Sequence, residues 1–203
     1  MNTRTAVLAS VLAASAASPA LAADTYTFDK AHTTVLFQVR HLLTNVTGKF
    51  KDFDGAIQVD RANPAASTVD FTVQTASIDT SEPKRDEHLR SADFFDVATH
   101  PRLSFRSTSV KPAGKDTYQV TGDLTMHGVT KPVTLTVTFL GSTKDPFSGN
   151  EKLGFDVTGS LNRQDFGIKW NKTLDSGGVL VGDEVKVQVS VEANKAKPAA
   201  STN

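Results

Sequence analysis

Apolar and polar residues alternate along most of this chain. Val35, Phe37 and Val39 are interleaved with Thr34, Leu36, Gln38 and Arg40, and Val69, Phe71 and Val73 with Asp70, Thr72 and Gln74. Val133, Leu135, Val137 and Phe139 alternate with threonines, and Val185, Val187, Val189 and Val191 with Lys186, Gln188 and Ser190. Ile57/Val59, Leu103/Phe105 and Phe155/Val157 are shorter examples. A period of two puts one set of side chains against a core and the other in water, the pattern of antiparallel strands. Turn chemistry at Lys111–Gly114, Gly128–Pro132 and Asp145–Asn150 separates them. The pattern predicts eight or nine strands, from near Tyr26 to near Glu192, in an all-β chain. Alternation alone leaves a sandwich and a closed barrel both open. Long strands around a Val/Phe interior suit an eight-stranded barrel able to hold one small ligand.

The clear exception is KRDEHLRSADFFDV, residues 84–97. Thr80, Ser81 and Pro83 supply a helix start, with Ser accepting an orphan N–H and Pro suiting the first turn. Leu89, Phe94, Phe95 and Val97 offer apolar contacts, and His100-Pro101 ends the segment. A short helical insertion near residues 82–97, crossing between two strands, is expected. Its charges resemble an active site, but adjacent helical residues do not face each other, so Asp86-Glu87-His88 is no triad by proximity. Arg85, Asp86 and His88 read as structural anchors that tie the helix to neighbouring loops by charge-assisted bonds.

Composition narrows the class. The N-terminus carries Arg4, an apolar run from Ala6 to Ala17, and Ala20-Leu21-Ala22, the layout of a cleaved secretory signal in residues 1–22. The mature chain is expected in the periplasm, as one domain over residues 23–193 with a disordered tail at 194–203. No stretch beyond residue 22 is apolar enough to suggest stable membrane insertion. Basic and acidic residues balance at 22 each, so no global field draws in nucleic acid. Cysteine is absent, and the core alone must hold the fold.

Catalytic signals are weak. The five histidines (His32, His41, His88, His100 and His127) include no pair at i, i+2 or i, i+4, and no HExxH occurs. No metal is expected, although strands can bring distant histidines together. No GxSxG or phosphate loop is found. Twelve Phe against one Trp and two Tyr give large apolar area without polar handles, which serves an ordinary core or a hydrocarbon pocket.

Several stretches, in order, carry a resemblance. They are Phe28-Asp-Lys-Ala-His-Thr33, Val39-Arg-His-Leu42, Gly48 to Gly55, Ala76 to Thr80 and Arg85-Asp-Glu-His-Leu89 with Phe94-Phe-Asp96. Gly122 to Pro132, Asn162 to Gly167 and Val181 to Val185 complete the set. From about residue 24 to 193 the chain resembles the YceI-like family of secreted bacterial lipid-binding proteins. The resemblance implies an extended lipocalin-like barrel with a helix beside its mouth, no enzymatic activity, no cofactor, and a long isoprenoid or other apolar lipid as partner. Phe28 stands where the family commonly has Trp. The expected pocket wall is Val35, Phe37, Val39, Phe71, Val73, Phe105, Leu135, Val137 and Phe155, with Arg40, His41 and Arg163 near a polar head group. Residues 145–151 and 168–178 match no motif, and ligand choice is expected there. A lipid-modifying enzyme using His88 or His32, and an envelope scaffold without ligand, are the alternatives; association into a homodimer is left open.

Overall fold

The computed structural model describes residues 23–175 and 177–197. Residues 1–22, which carry the expected signal segment, lie outside them. Eleven strand segments form one sheet: β1 (Asp24–Phe28), β2 (Thr34–His41), β3 (Thr44–Phe50), β4 (Phe53–Val59), β5 (Thr68–Gln74), β6 (Ile78–Asp79), β7 (Arg102–Gly114), β8 (Thr117–Met126), β9 (Val129–Lys144), β10 (Glu151–Asn162) and β11 (Val181–Lys195). One helix, α1 (Pro83–Arg90), follows β6.

All pairings between these strands are antiparallel, and β1 pairs with β11, which closes the ring β1-β4-β5-β7-β8-β9-β10-β11. The closed eight-stranded barrel is therefore the outcome, and the sandwich is excluded. The segment count exceeds the sequence expectation because three walls are interrupted. β1 and β2 lie end to end along the same edge of β11, at Ala193–Lys195 and Val185–Ser190. β3 continues β4 past Lys51 and Asp52, and β6 continues β5. At one end the ring is complete. At the other the row β2-β3-β6 stops, β7 does not pair with β6, and α1 with its following turns occupies that place.

Two expected turns are strand instead. β7 runs through Pro112 to Gly114, and β9 contains Pro132 opposite Asp123. Both prolines sit where only one side of the strand is paired: β5 reaches β7 only as far as Arg106, and β10 meets β9 only from Thr136. A missing N–H costs nothing on such an edge. The turns fall at Lys115-Asp116 and His127-Gly128. Asn194 to Ala196, expected in the tail, instead belong to the barrel: Asn194 and Lys195 pair with Thr27 and Tyr26 and the Ala196 N–H donates to the Thr25 carbonyl. Residues 198–203 lie outside the described set.

The helix is shorter than the expected span, and the residues after Arg90 are turns. Its N-cap is Glu82, whose carboxylate accepts the Lys84 N–H, and not Ser81; Pro83 opens it as expected. Buried Asp86 accepts the Thr80 N–H at 2.8 Å and hydroxyl at 2.5 Å, while Arg85 donates to the Thr80 hydroxyl and carbonyl oxygens. Arg90 donates to the carbonyls of Ala76 and Ile78. The charged run thus ties α1 to the β5–β6 connection. Phe95 packs edge-on against Phe50 of the wall, and Phe94 against Trp170.

Val73 and Ile78 are fully buried where β5 gives way to β6, and Tyr26, Leu153 and Ala193 at the closed end. A fully buried Val, Leu or Ile side chain contributes about 1.5–3 kcal/mol. Lys152 seals this end, donating to Asp29 at 2.7 Å and Glu192 at 2.9 Å, and His32 Nδ1 lies 3.0 Å from the same Asp29 carboxylate. The Lys152 ammonium, then the His32 contact, holds the Asp29 carboxyl well below the usual carboxylate range, and Asp29 in turn raises Lys152.

Candidate functional site

The barrel interior is not filled. A cavity of about 200 Å³ at the closed half is bounded by Phe28, Val35, Phe71, Val73 and further apolar side chains. A second, of about 490 Å³, lies at the open half beneath α1. Phe37, Phe50, Leu103, Leu161 and Val187 line both and form a waist between them. Inward Phe37, Phe71, Leu135, Val137 and Phe155 are only partly buried although they face the interior, because they look onto free space. Room for the Phe37 ring comes from its cross-strand partner Gly48, where a Cβ would fall 2.3 Å from Phe37 Cζ.

Eight of the nine expected wall residues line the inner cavity, and Val39 lines the outer one. Four waist residues lie outside that set, and of these alternation marks Leu103 and Val187 but not Phe50 or Leu161. Phe50 lies in β3, where Gly48 interrupts the apolar rhythm, and Leu161 closes a strand rich in Gly and Ser. Val187 stood in plain alternation and could have been chosen.

The head-group candidates separate. Arg40 and His41, at the end of β2, line the outer cavity, with Arg40 Nε on the Leu42 carbonyl at 2.8 Å. Arg163 borders it too, but its guanidinium is buried. It donates to the carbonyls of Gly182, Ile168 and Trp170 and to Asp183 at 3.0 Å. That set makes Arg163 the brace of the 168–183 loop and corrects its expected role. Lys84 and Arg85 of α1 reach the same mouth, and so do Glu82 and His88. His88 Nε2 meets Asp93 at 2.8 Å while its ring packs edge-on against Phe94 and Trp170, so it is part of the mouth wall.

Of the two stretches without motif, 168–178 contributes Ile168 and Trp170 to the mouth. The 145–151 loop turns at the opposite end, where Asp145 accepts the N–H groups of Phe147 and Ser148. The rim of the mouth is apolar: Leu43 is 87 % exposed and Val179 51 %, and the Leu42 N–H reaches the Leu180 carbonyl at 3.1 Å.

A closed antiparallel barrel with two joined apolar cavities and a helix at its mouth has the architecture that can hold one small molecule. The YceI-like domain model matches residues 26–193, and the chain belongs to that family. A UPF0312 protein of Pseudomonas putida (strain F1) is 45% identical over 195 residues, covering 95% of this chain and 97% of the relative. The crystal structure of a Campylobacter jejuni YceI protein is 34% identical with a TM-score of 0.66, over 85% of this chain and 98% of that one. A polyisoprenoid binding domain from Saccharophagus degradans shares the fold at a TM-score of 0.62 and 14% identity, over 84% and 98% of the two chains.

Proposed function

We propose that this protein is a periplasmic carrier that holds a long-chain isoprenoid or similar amphiphile in its barrel and performs no chemistry on it. The observation that carries the reading is the set of inward apolar side chains left half-buried around the two joined cavities. The fold shared with a polyisoprenoid binding domain supports the same ligand class. Hydrocarbon burial supplies the affinity: at roughly 0.8 kcal/mol per CH₂, ten carbons contribute about 8 kcal/mol before ordering costs, equivalent to a Kd near 1 μM. The tail extends through the waist toward the closed end. The head group stays at the mouth, where Arg40, His41, Lys84 and Arg85 suit phosphate or carbonyl oxygens. Periplasmic residence rests on the signal-like residues 1–22.

The test is solvent extraction of protein purified without detergent, followed by lipid mass spectrometry. One apolar molecule per chain is expected. The reading fails if none is found and the empty protein takes up no polyprenyl phosphate, quinone or fatty acyl amide. Turnover of an offered lipid that disappears in His88→Ala would replace the carrier by an enzyme.

A further inference from the structure

We propose that Asp96, His100 and His127 form a binding site for a divalent transition-metal cation of the zinc class, outside the barrel cavity. One donor atom from each lies within 4.8 Å of the other two, and all three residues are half-buried. Asp96 and His100 come from a single turn after α1, in which the Thr99 and His100 N–H groups both donate to the Asp96 carbonyl. His127 comes from the β8–β9 turn, distant in sequence, and its ring stands 4.8 Å from that of His100 at 62°.

Four features fit a ligand set better than chance packing. His127 Nδ1 lies 3.2 Å from the Phe166 carbonyl, which can only accept, so in the neutral ring that nitrogen carries the proton and Nε2 the lone pair. Orientation of a metal-binding imidazole by a backbone carbonyl is the usual supporting contact. The Asp96 carboxylate has no ion pair or hydrogen bond among the described residues. Asp96 and His127 hold left-handed backbone, at φ 44° and 51°, a conformation that few side chains adopt. Finally, Gly128 leaves the space that the His100 ring uses: a Cβ there would fall 2.8 Å from His100 Cε1.

Two imidazoles and a carboxylate without thiolate select a borderline ion such as zinc over calcium or magnesium, which prefer oxygen donors. Metal–donor bonds of about 2.0–2.2 Å require the donors to draw together to about 3.4 Å, within reach of side-chain rotation. A fourth position is left for water. Asp29, His32 and Glu192 also cluster within 4.8 Å, but there the Lys152 ammonium already fills the cation position between the carboxylates. A metal at Asp96 would staple the post-helix turn to the β8–β9 hairpin and, through His127, to Phe166. Phe94, Met126 and Phe166 pack together behind it, and Phe94 lines the mouth.

The experiment is calorimetric titration of the chelator-stripped mature protein with zinc chloride at neutral pH, with thermal unfolding alongside. One zinc per chain and a raised unfolding midpoint are expected. Cobalt(II) in place of zinc should give the visible absorption band of a four-coordinate site. Asp96→Asn and His100→Gln should each weaken zinc at least tenfold. His127→Asn, which tolerates left-handed backbone, should do the same with the hairpin intact. No saturable zinc binding by wild type below 100 μM overturns the proposal, as does unchanged affinity in folded His100→Gln/His127→Asn protein. Lipid content measured on the same samples reports on the barrel independently.

Discussion

Val187→Phe tests the two-chamber interior most directly. Val187 stands in β11 between its cross-strand partners Phe37 and Gly159, and it lines both cavities. A phenyl ring there narrows the waist without introducing charge, and a hydrocarbon tail can no longer pass into the inner cavity of about 200 Å³. Excluding four carbons removes about 3 kcal/mol at roughly 0.8 kcal/mol each, which weakens Kd about 200-fold. A ligand short enough to remain in the outer chamber keeps its affinity within about threefold, since of that chamber's wall only position 187 changes. Trp170, the single tryptophan, lines that outer chamber and supplies the fluorescence signal. Affinities for isoprenyl alcohols of increasing length should climb in wild type until both chambers fill, and in the variant should level off earlier. Overpacking costs about 1–3 kcal/mol, so cooperative urea unfolding of the variant is checked first. A cooperatively folded variant that keeps the wild-type gain per carbon across the whole series refutes the threading of the tail through the waist.

Asp86→Ala strands the Thr80 N–H and hydroxyl; at about 1–3 kcal/mol per unsatisfied group, or about 2–6 kcal/mol together, the melting midpoint should drop by about 4–24 °C, and an unchanged midpoint would deny the brace. Asp29, held below its ordinary range by Lys152, contributes stability that is present above about pH 4 and lost as pH falls through its lower folded-state value. Asp29→Asn should therefore flatten the decline of urea stability below that pH, and parallel wild-type and variant curves would assign the acid response to other groups. Exported protein should begin at Ala23 by intact mass; retention of Met1 would contradict the signal reading.

The walls were legible because an amphipathic strand records its two environments residue by residue. Val35, Phe37 and Val39 needed no partner to declare an inside. Strand interruptions were not legible, since Asp29–Thr33 and Lys51-Asp52 become breaks only through what β11 and β5 pair with on either side. Prolines at 112 and 132 looked like turns because a sequence does not show which strand edge is left unpaired. Arg163 looked free for a head group, and only the returning 168–183 segment shows where its donors are used. His100 and His127 were judged by spacing along the chain, whereas a hairpin and a turn bring them together through the fold.

The gap between β6 and β7 gives the barrel an uneven mechanical character. Around the closed end every strand has neighbours on both sides, so dilating that ring means rupturing a ladder. Beside the gap the contacts are side-chain ones from α1 and the turn after it: Phe95 on Phe50 of β3, and Arg90 on two carbonyls of the stretch between β5 and β6. Contacts of that kind part and re-form without any strand losing its register. The wall beside the mouth can therefore yield locally while the far end stays shut, which on the proposed function would let a guest much longer than the doorway be fed in a few carbons at a time. In amide exchange, this asymmetry should divide the molecule into a fast half around α1 and the β2–β3 turn and a slow half around β1, β4 and the end of β11.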